Sequence, residues 1–252
     1  MRAYGRTCLA LVALGAVASG AAVAGFSVPA QDNSPRAVRQ KFDRAEFESQ
    51  FPVADFDKPE PVDPERRARW RAKGKKYAGI GIRITDGDEV VTVQNEWDIG
   101  LSALPVAESD LVVLGEVTDA RAYITGDKTW VYSEFVVKVG EVLKNTGNVV
   151  LTAGDSLVAG RDGGRVRFPS GRTVLQLVSG QGMPRAGRRY ALFLTHADRE
   201  QAAHIVTAYE LRGGRVFHVD KPAGRHPLAT VYNGADEISF LNDLRAASGV
   251  AR

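Results

Sequence analysis

Residues 130–145 read WVYSEFVVKVGEVLKN and have the pattern of a long strand. Their side chains alternate between an apolar face with Val131, Phe135, Val137 and Val139 and a second face with Trp130, Tyr132, Glu134 and Lys138. This alternation is typical of a strand that buries one face. Gly140 interrupts it, and a glycine within a strand often marks the bulge or bend that a small barrel needs in order to close. The stretch therefore predicts one long bent strand of a small β-barrel, with a supporting role.

Strand-like segments of the same kind lie on both sides of this stretch. They are YAGIGIRI (77–84), EVVTVQN (89–95), DLVVLGEV (110–117), NVVLTAGD (148–155), RTVLQLV (172–178), RRYALFLT (188–195), AAHIVTAYEL (202–211) and GRVFHV (214–219). The first two flank the turn 86–88 and predict a hairpin. Short strands joined by glycine-rich turns favour an all-β sandwich or barrel. We expect residues 77–252 to form an OB-like antiparallel β-barrel, or a related small barrel or sandwich.

The barrel domain is predicted to end in a helix over residues 235–248. Ile238, Leu241 and Leu244 recur at the spacing of one helix face, and Gly249 is suited to end the helix.

Residues 1–30 are predicted to be a signal peptide. Arg2 and Arg6 precede an apolar stretch, 8–30, that contains no charged side chain. Cleavage before Gly25 or before Gln31 fits the small-residue rule, and we favour Gln31. The alternative is an uncleaved membrane anchor, since the apolar stretch is long enough to cross a bilayer. Both interpretations place the rest of the chain outside the cytoplasm, as a secreted, periplasmic or cell-surface protein.

Residues 31–76 are charged and proline-rich, and we interpret them as a partly helical arm that precedes the barrel domain. Ser34 and Pro35 offer the start of a first helix. A second helix is predicted to begin after Asp63, with Pro64 at its first position and Gly74 as its stop. The segment 51–63 between the two should be extended.

The cysteine count and the charge exclude several functions. Cys8 is the single cysteine and lies inside the predicted signal peptide, so the mature chain has no disulfide, no cysteine nucleophile and no cysteine-bound zinc. Without Arg2 and Arg6 the 33 basic residues fall to 31, against 30 acidic residues. A nearly neutral, exported chain is not expected to have a nucleic-acid partner.

No motif for catalysis or for a cofactor stands out, and we expect a protein without enzymatic activity or cofactor. The four histidines, His196, His204, His218 and His226, contain no pair at helical metal-ligand spacing, although His204 and His218 lie in predicted strands that could meet. The sequence around Ser170 is a turn and lacks the pattern of a serine nucleophile. The glycine-rich segment 153–172 favours a flexible loop or hairpin, with the option of an anion at Arg161, Arg165, Arg167 and Arg172.

The strongest local charge lies between Glu65 and Lys76. The candidate binding residues there are Arg66, Arg67, Arg69, Trp70, Arg71, Lys73, Lys75 and Lys76. Such a patch can dock to anionic lipid headgroups, as a peripheral membrane contact, or to an acidic polymer. A solvated helix is the simpler alternative, because charge runs of this size are common on surfaces.

The order of segments from Ser109 to Val219 resembles the netrin-like module of tissue inhibitors of metalloproteinases. The resemblance rests on the strand 109–113, the long strand from Tyr132 to Lys144, the strand 187–192 and the turn 213–216. It also extends to cysteine-free exported bacterial proteins with this strand order. The resemblance implies an OB-type barrel. Inhibition in that family depends on an N-terminal cysteine, which this chain does not have at Gly25 or at Gln31.

Together these features predict an exported, non-catalytic binding module that recognises a protein or an acidic component of the cell envelope. The alternatives are a secreted hydrolase inhibitor and an enzyme whose residues converge only in the folded chain. The sequence gives no indication of the oligomeric state.

Overall fold

The computed structural model describes residues 47–77, 83–93, 98, 100–147, 150–196, 202–221 and 226–249. All of them lie in the unit that runs from Phe42 to Arg252. The predicted signal peptide and the predicted first helix of the arm lie outside the described residues. Within this part of the chain, no helix is long and apolar enough to span a membrane.

The described residues contain ten strands and three helices. The strands are β1 (Val53–Asp55), β2 (Val90–Val93), β3 (Leu111–Ile124), β4 (Val131–Asn145), β5 (Ser156–Asp162), β6 (Gly164–Arg167), β7 (Thr173–Val178), β8 (Arg188–His196), β9 (Ala202–Arg212) and β10 (Arg215–His218). The helices are α1 (Pro64–Tyr77), α2 (Pro227–Thr230) and α3 (Glu237–Ala247). The prediction of an all-β chain is confirmed.

Five strands close into a ring. β3 pairs with β4, and β4 with β5, in antiparallel fashion. β5 runs parallel to β9, which pairs antiparallel with β8, and β8 returns to β3. β10 adds to the outer edge of β9. The interior of the ring holds a large apolar cluster that includes Val113, Phe135, Leu192 and Ile205, each fully buried.

The long strand β4 follows its predicted pattern except at its start, where Tyr132 of the second face is buried as well as the apolar face, in a separate cluster with Trp130 and Val178. Its apolar face is buried, with Val139 only 2% exposed. The pairing with β3 passes from Leu114 opposite Glu141 to Gly115 opposite Val139, so that Gly140 is the extra residue of a bulge. A side chain at Gly115 would lie 2.7 Å from Cγ1 of Val137, so only glycine allows the two strands to approach this closely.

A second sheet, in the order β1-β6-β7-β2, packs beside the ring. β6 and β7 form an antiparallel hairpin, and β1 and β2 flank it in parallel. The predicted hairpin partner of β2 differs from the observed one: the turn at Asp86 and Gly87 is present, but β2 pairs with β7. Residues 83–85 form no strand, although Ile84 is packed into the core beneath the second sheet. Residues 78–82 lie outside the described part.

Two other segments differ from their predictions. Residues 150–155 form no strand, because the carboxylate of Asp155 accepts hydrogen bonds from the amide and hydroxyl of Thr152 and closes a turn there. Helix α1 continues through Gly74, its predicted stop, to Tyr77. Gly74 is buried and lies against the backbone of the turn at 125–126, so its lack of a side chain serves close packing rather than termination.

The segment 47–76, which was predicted to belong to the arm, lies in the same unit as the ring. Phe51 is 2% exposed and belongs to the core inside the ring, and β1 supplies one edge of the second sheet. Asp63 caps helix α1 as expected, since its Oδ1 accepts a hydrogen bond of 2.8 Å from the amide of Arg66.

Helix α3 covers the outer face of the ring. Phe240 and Leu244 are fully buried there, among residues of β8, β9 and β10. The predicted helix face is wrong at Ile238, which is 71% exposed. Positions 240 and 244 are one turn apart and share the inward stripe.

Candidate functional site

The basic residues of helix α1 are largely engaged by acidic partners. Glu60 receives a 2.6 Å ion pair from Arg71 and a longer contact from Arg67. Lys73 reaches Glu134 on the outer face of β4, with 2.6 Å between Nζ and Oε1. Three of the predicted positive charges are therefore balanced by carboxylates of the same unit.

Arg67 also has a structural task. Its guanidinium donates to the carbonyl oxygens of Pro61 and Val62, at 2.9 and 2.8 Å, and so ties the helix to the segment before it. Trp70 packs on Gly126 in the loop between β3 and β4, where a side chain at 126 would meet the indole at 3.6 Å. These two residues fix the position of the helix.

The charges that helix α1 leaves available are fewer than the sequence suggests. Arg66 and Lys75 are exposed, and no ion pair joins either of them to another described residue. The side chains of Arg69 and Lys76 are not among those that the structure describes. Among the described side chains of the predicted patch, two open cations thus lie on a helix beside the β3–β4 loop.

The four arginines of the glycine-rich segment do not converge on one point. The segment 153–172, predicted to be a flexible loop or a hairpin, holds strands β5 and β6, which pair with other strands and not with each other. Arg165 donates to the carbonyl of Phe51 and Arg167 pairs with Asp55, both on the second sheet. Arg161 is completely buried.

Arg161 belongs to a buried polar network that no sequence pattern indicated. We call it the Asp220 network and define it by Arg161, Gly182, Thr207, His218 and Asp220. Asp220 Oδ1 lies 2.7 Å from Nη1 of Arg161 and accepts a hydrogen bond of 2.7 Å from the Gly182 amide. Asp220 Oδ2 accepts from Nη2 of Arg161 at 2.8 Å and from the Thr207 hydroxyl at 2.7 Å. Both charged side chains are inaccessible to solvent.

A bulge in β9 makes room for the guanidinium. The pairing of β8 with β9 passes from Leu194 opposite Ile205 to Phe193 opposite Thr207, so that Val206 is the extra residue. The parallel pairing of β5 with β9 ends just before, at Gly160 and His204. The carbonyl of Val206 is thereby released from the ladder and accepts a hydrogen bond of 3.1 Å from Arg161. Arg161 fills the place where β5 and β9 separate.

Gly182 completes the network through its size. A side chain at this position would fall far inside contact distance of the Val219 carbonyl. The loop between β7 and β8 can therefore approach the segment after β10 closely, and the Lys221 amide donates to Gly180 at 2.7 Å. The Asp220 network joins β5, the β7–β8 loop, β9 and the end of β10.

His218 lies at the half-buried edge of this network. Its Nε2 is 2.9 Å from Thr207 Oγ1, and its Nδ1 is 2.6 Å from the carbonyl oxygen of Asp220. The ring packs on Tyr209, with centroids 4.7 Å apart. Burial lowers the pKa of His218, and the nearby charge of Asp220 opposes this shift only in part.

The arrangement does not have the geometry of a nucleophilic site. Thr207 is fully buried, and its hydroxyl is already in contact with both His218 and Asp220. A nucleophile has to reach its substrate, and this one is enclosed. His204 pairs in register with Gly160 and Thr195, whereas His218 lies opposite Tyr209, so the two histidines do not come together.

Within the described ranges, no three side chains of the metal-binding types are grouped so that they could hold an ion. A scan against models of known protein families gives no match, and a search of curated proteins gives none either.

Proposed function

We propose that the chain is an exported, non-catalytic binding module built on an OB-type barrel, and that it recognises a protein or an acidic component of the cell envelope. The observation that carries the proposal is the order of strands in the ring. We number the five ring strands in chain order, from β3 as the first to β9 as the fifth. Around the ring their order is first, second, third, fifth, fourth and back to the first, and the third and fifth strands are parallel. This order of strands supports the OB-type barrel of the proposal.

OB barrels bind extended ligands on the face of their second and third strands and on the adjoining loops. The corresponding parts of this chain are β4, β5 and the loop 125–130. Helix α1 lies at the border of that face, because Lys73 pairs with Glu134 on β4 and Trp70 packs on the loop at Gly126. The open cations Arg66 and Lys75 are therefore carried close to the face on which such a barrel binds.

The side chains of helix α1, beside the β4–β5 face, favour an acidic ligand over an apolar one. Helix α1 contains few apolar side chains, which argues against insertion into a bilayer. Two exposed cations supply a weak, salt-sensitive attraction, and the ordered barrel face supplies shape. We therefore expect an acidic polymer of the envelope rather than a lipid surface as the ligand.

Retention of the purified protein on immobilised polygalacturonate, eluted with a salt gradient, tests the proposal. The double variant Arg66→Glu/Lys75→Glu should elute at clearly lower salt than the unaltered protein. The matched control, Arg83→Glu/Arg172→Glu, changes the net charge equally at exposed positions outside helix α1 and should elute close to the unaltered protein.

Equal losses in both double variants would mean that only the net charge matters, and would contradict the proposed surface. Co-sedimentation with liposomes, with and without anionic lipid, distinguishes the lipid alternative. Binding to anionic vesicles that the Arg66→Glu/Lys75→Glu variant abolishes, without retention on the polymer, would replace the polymer with a membrane as the ligand.

A further inference from the structure

The hydrogen bonds around His218 limit where its protons lie. The carbonyl oxygen of Asp220 can only accept, so Nδ1 of His218 carries a hydrogen and donates it. Thr207 has a single hydroxyl hydrogen and two neighbours within reach, His218 Nε2 and Asp220 Oδ2. The carboxylate of Asp220 faces the guanidinium of Arg161, which is always charged, and it too can only accept.

Two arrangements satisfy these constraints, and they differ by one proton. In the first, Thr207 donates to Asp220, and its oxygen must then accept from Nε2 of a doubly protonated His218. In the second, His218 is neutral, Nε2 accepts, and Thr207 turns its hydrogen away from Asp220. The direction of one buried hydroxyl is thus coupled to the charge of one imidazole.

The groups around His218 determine how readily its imidazole takes up a second proton. Asp220, two residues after His218 in the chain, attracts the imidazolium of His218. Arg161 on β5 and His226 on the segment before α2 repel it. Tyr209 on β9 covers one face of the ring. Burial is the strongest influence and lowers the pKa of His218 from its ordinary value of 6.5, so the fold opposes the charging of this imidazole.

His218 is also a point of attachment. Its backbone amide donates to Oδ1 of Asn233 at 3.3 Å, and its strand β10 binds the segment that leads to α3 through the amide of Val216 and the carbonyl of Ala235, at 3.0 Å. Loosening of His218 from Thr207 and Tyr209 therefore affects how β10 and the following segment are held on the ring.

We propose that His218 makes the attachment of β10 to the barrel sensitive to acid: a proton on Nε2 turns the Thr207 hydroxyl towards Asp220 and leaves a half-buried imidazolium facing the positive charge of Arg161, which weakens the hold of β9 on β10. This proposal does not depend on the function proposed above.

The sign follows from proton linkage. A group whose pKa is lower in the folded state binds its proton more readily when it is released, so release is favoured as the pH falls. The contribution of His218 to the attachment is complete above pH 6.5 and is lost as the pH decreases towards the lowered pKa. One unit of pKa difference corresponds to about a tenfold change in the opening equilibrium.

Hydrogen exchange of the full chain, followed by mass spectrometry and corrected for intrinsic rates, tests this at pH 7.5 and pH 5. Peptides that cover 213–221 should exchange several-fold faster at pH 5, up to about tenfold for each unit of pKa difference, while peptides of β3 should not change. His218→Gln should remove the pH dependence. His196→Gln, at an exposed histidine at the end of β8, should retain it.

An unchanged pH dependence in the His218→Gln variant would overturn the proposal, as would equal exchange of the 213–221 peptides at the two pH values. Should that variant fail to fold, the imidazole resonance of His218 in the unaltered protein provides a second measurement. A titration midpoint clearly below 6.5 supports the proposal, and a midpoint at or above 6.5 overturns it.

Discussion

Asp220 is a single carboxylate that holds three other parts of the chain, since its oxygens receive Arg161 from β5, the Gly182 amide from the β7–β8 loop and Thr207 from β9. A buried ion pair is not stabilising in itself, because desolvation of two charges offsets most of their attraction. The loss of one partner, however, strongly lowers the free energy of unfolding, because the other charge is left buried and unpaired.

Asp220→Asn should destabilise the protein strongly, by about 3–5 kcal/mol, because it leaves the buried charge of Arg161 uncompensated. The matched control is Asp55→Asn, which breaks the exposed pair with Arg167 and should cost less than about 1 kcal/mol. Urea denaturation followed by circular dichroism measures both. Similar costs for the two variants would contradict the role assigned to Asp220.

At the scale of residues, the contacts of the Asp220 network could not be predicted from the sequence. Arg161 lies in a glycine-rich segment that favours a flexible loop or hairpin, and its partner is 59 residues away in the chain. Local patterns report periodicity and turn chemistry, whereas a salt bridge between distant residues depends on how the strands are arranged around the ring. The same holds for Thr207 and His218, which are ordinary strand residues until β9 and β10 are placed side by side.

At the scale of elements, prediction depended on how regular each pattern was. Strand β4 and its bulge at Gly140 followed from strict alternation and one glycine. The end of helix α1 did not, because glycine has two common uses and Gly74 serves the close approach to the β3–β4 loop instead of a helix stop. The buried face of α3 was predicted wrongly because Phe240 and Ile238 are both apolar. Only the packing against neighbouring strands determines which of the two is buried.

Phe240→Ala should reduce the free energy of unfolding by about 3–5 kcal/mol, since it removes a fully buried ring from the core between α3 and the barrel. Ile238→Ala on the same helix is the control. Its side chain is 71% exposed, and the change should stay within about 0.5 kcal/mol. Thermal and urea unfolding measure both variants, and a larger loss at position 238 than at 240 would refute the assigned helix face.

At the scale of the whole molecule, the all-β class and a closed barrel were expected from the sequence, but the strand partners that close the ring were not. Many short alternating strands indicate an all-β protein. The pairing of β8 with β3 and the parallel pairing of β9 with β5 connect segments far apart in the chain, and no local pattern specifies such partners. The location of the candidate binding face depends on those pairings.

The stability of the whole fold should have an alkaline limit. Burial raises the pKa of Tyr190 to about 12 and also raises the pKa of Tyr209 above its ordinary value of 10.0. Groups with a raised pKa contribute stability that is complete below the unfolded value and is lost as the pH rises towards the folded one. The free energy of unfolding should therefore be insensitive to these tyrosines below pH 10 and should decrease between about pH 10 and 12.

Urea denaturation at successive pH values, together with tyrosinate absorbance at 295 nm, checks this expectation. Tyr190→Phe should make the decrease shallower, because one of the two phenols with a raised pKa that were named above is then absent from the unfolded chain. A free energy of unfolding that stays constant up to pH 12 would show that the two phenols are not protected by the fold.

The position of β9 between β5 and β8 has a consequence for biosynthesis. A nascent chain that has reached His196 but not Ala202 carries two open strand edges, on β5 and on β8, which the eleven residues of β9 cover once they have been synthesised. Unpaired edges of this kind invite association between neighbouring chains. Because the sealing strand joins segments distant along the chain, its docking is a slow, non-local step. A chaperone that delays collapse until Arg212 has been synthesised would protect the protein during that interval.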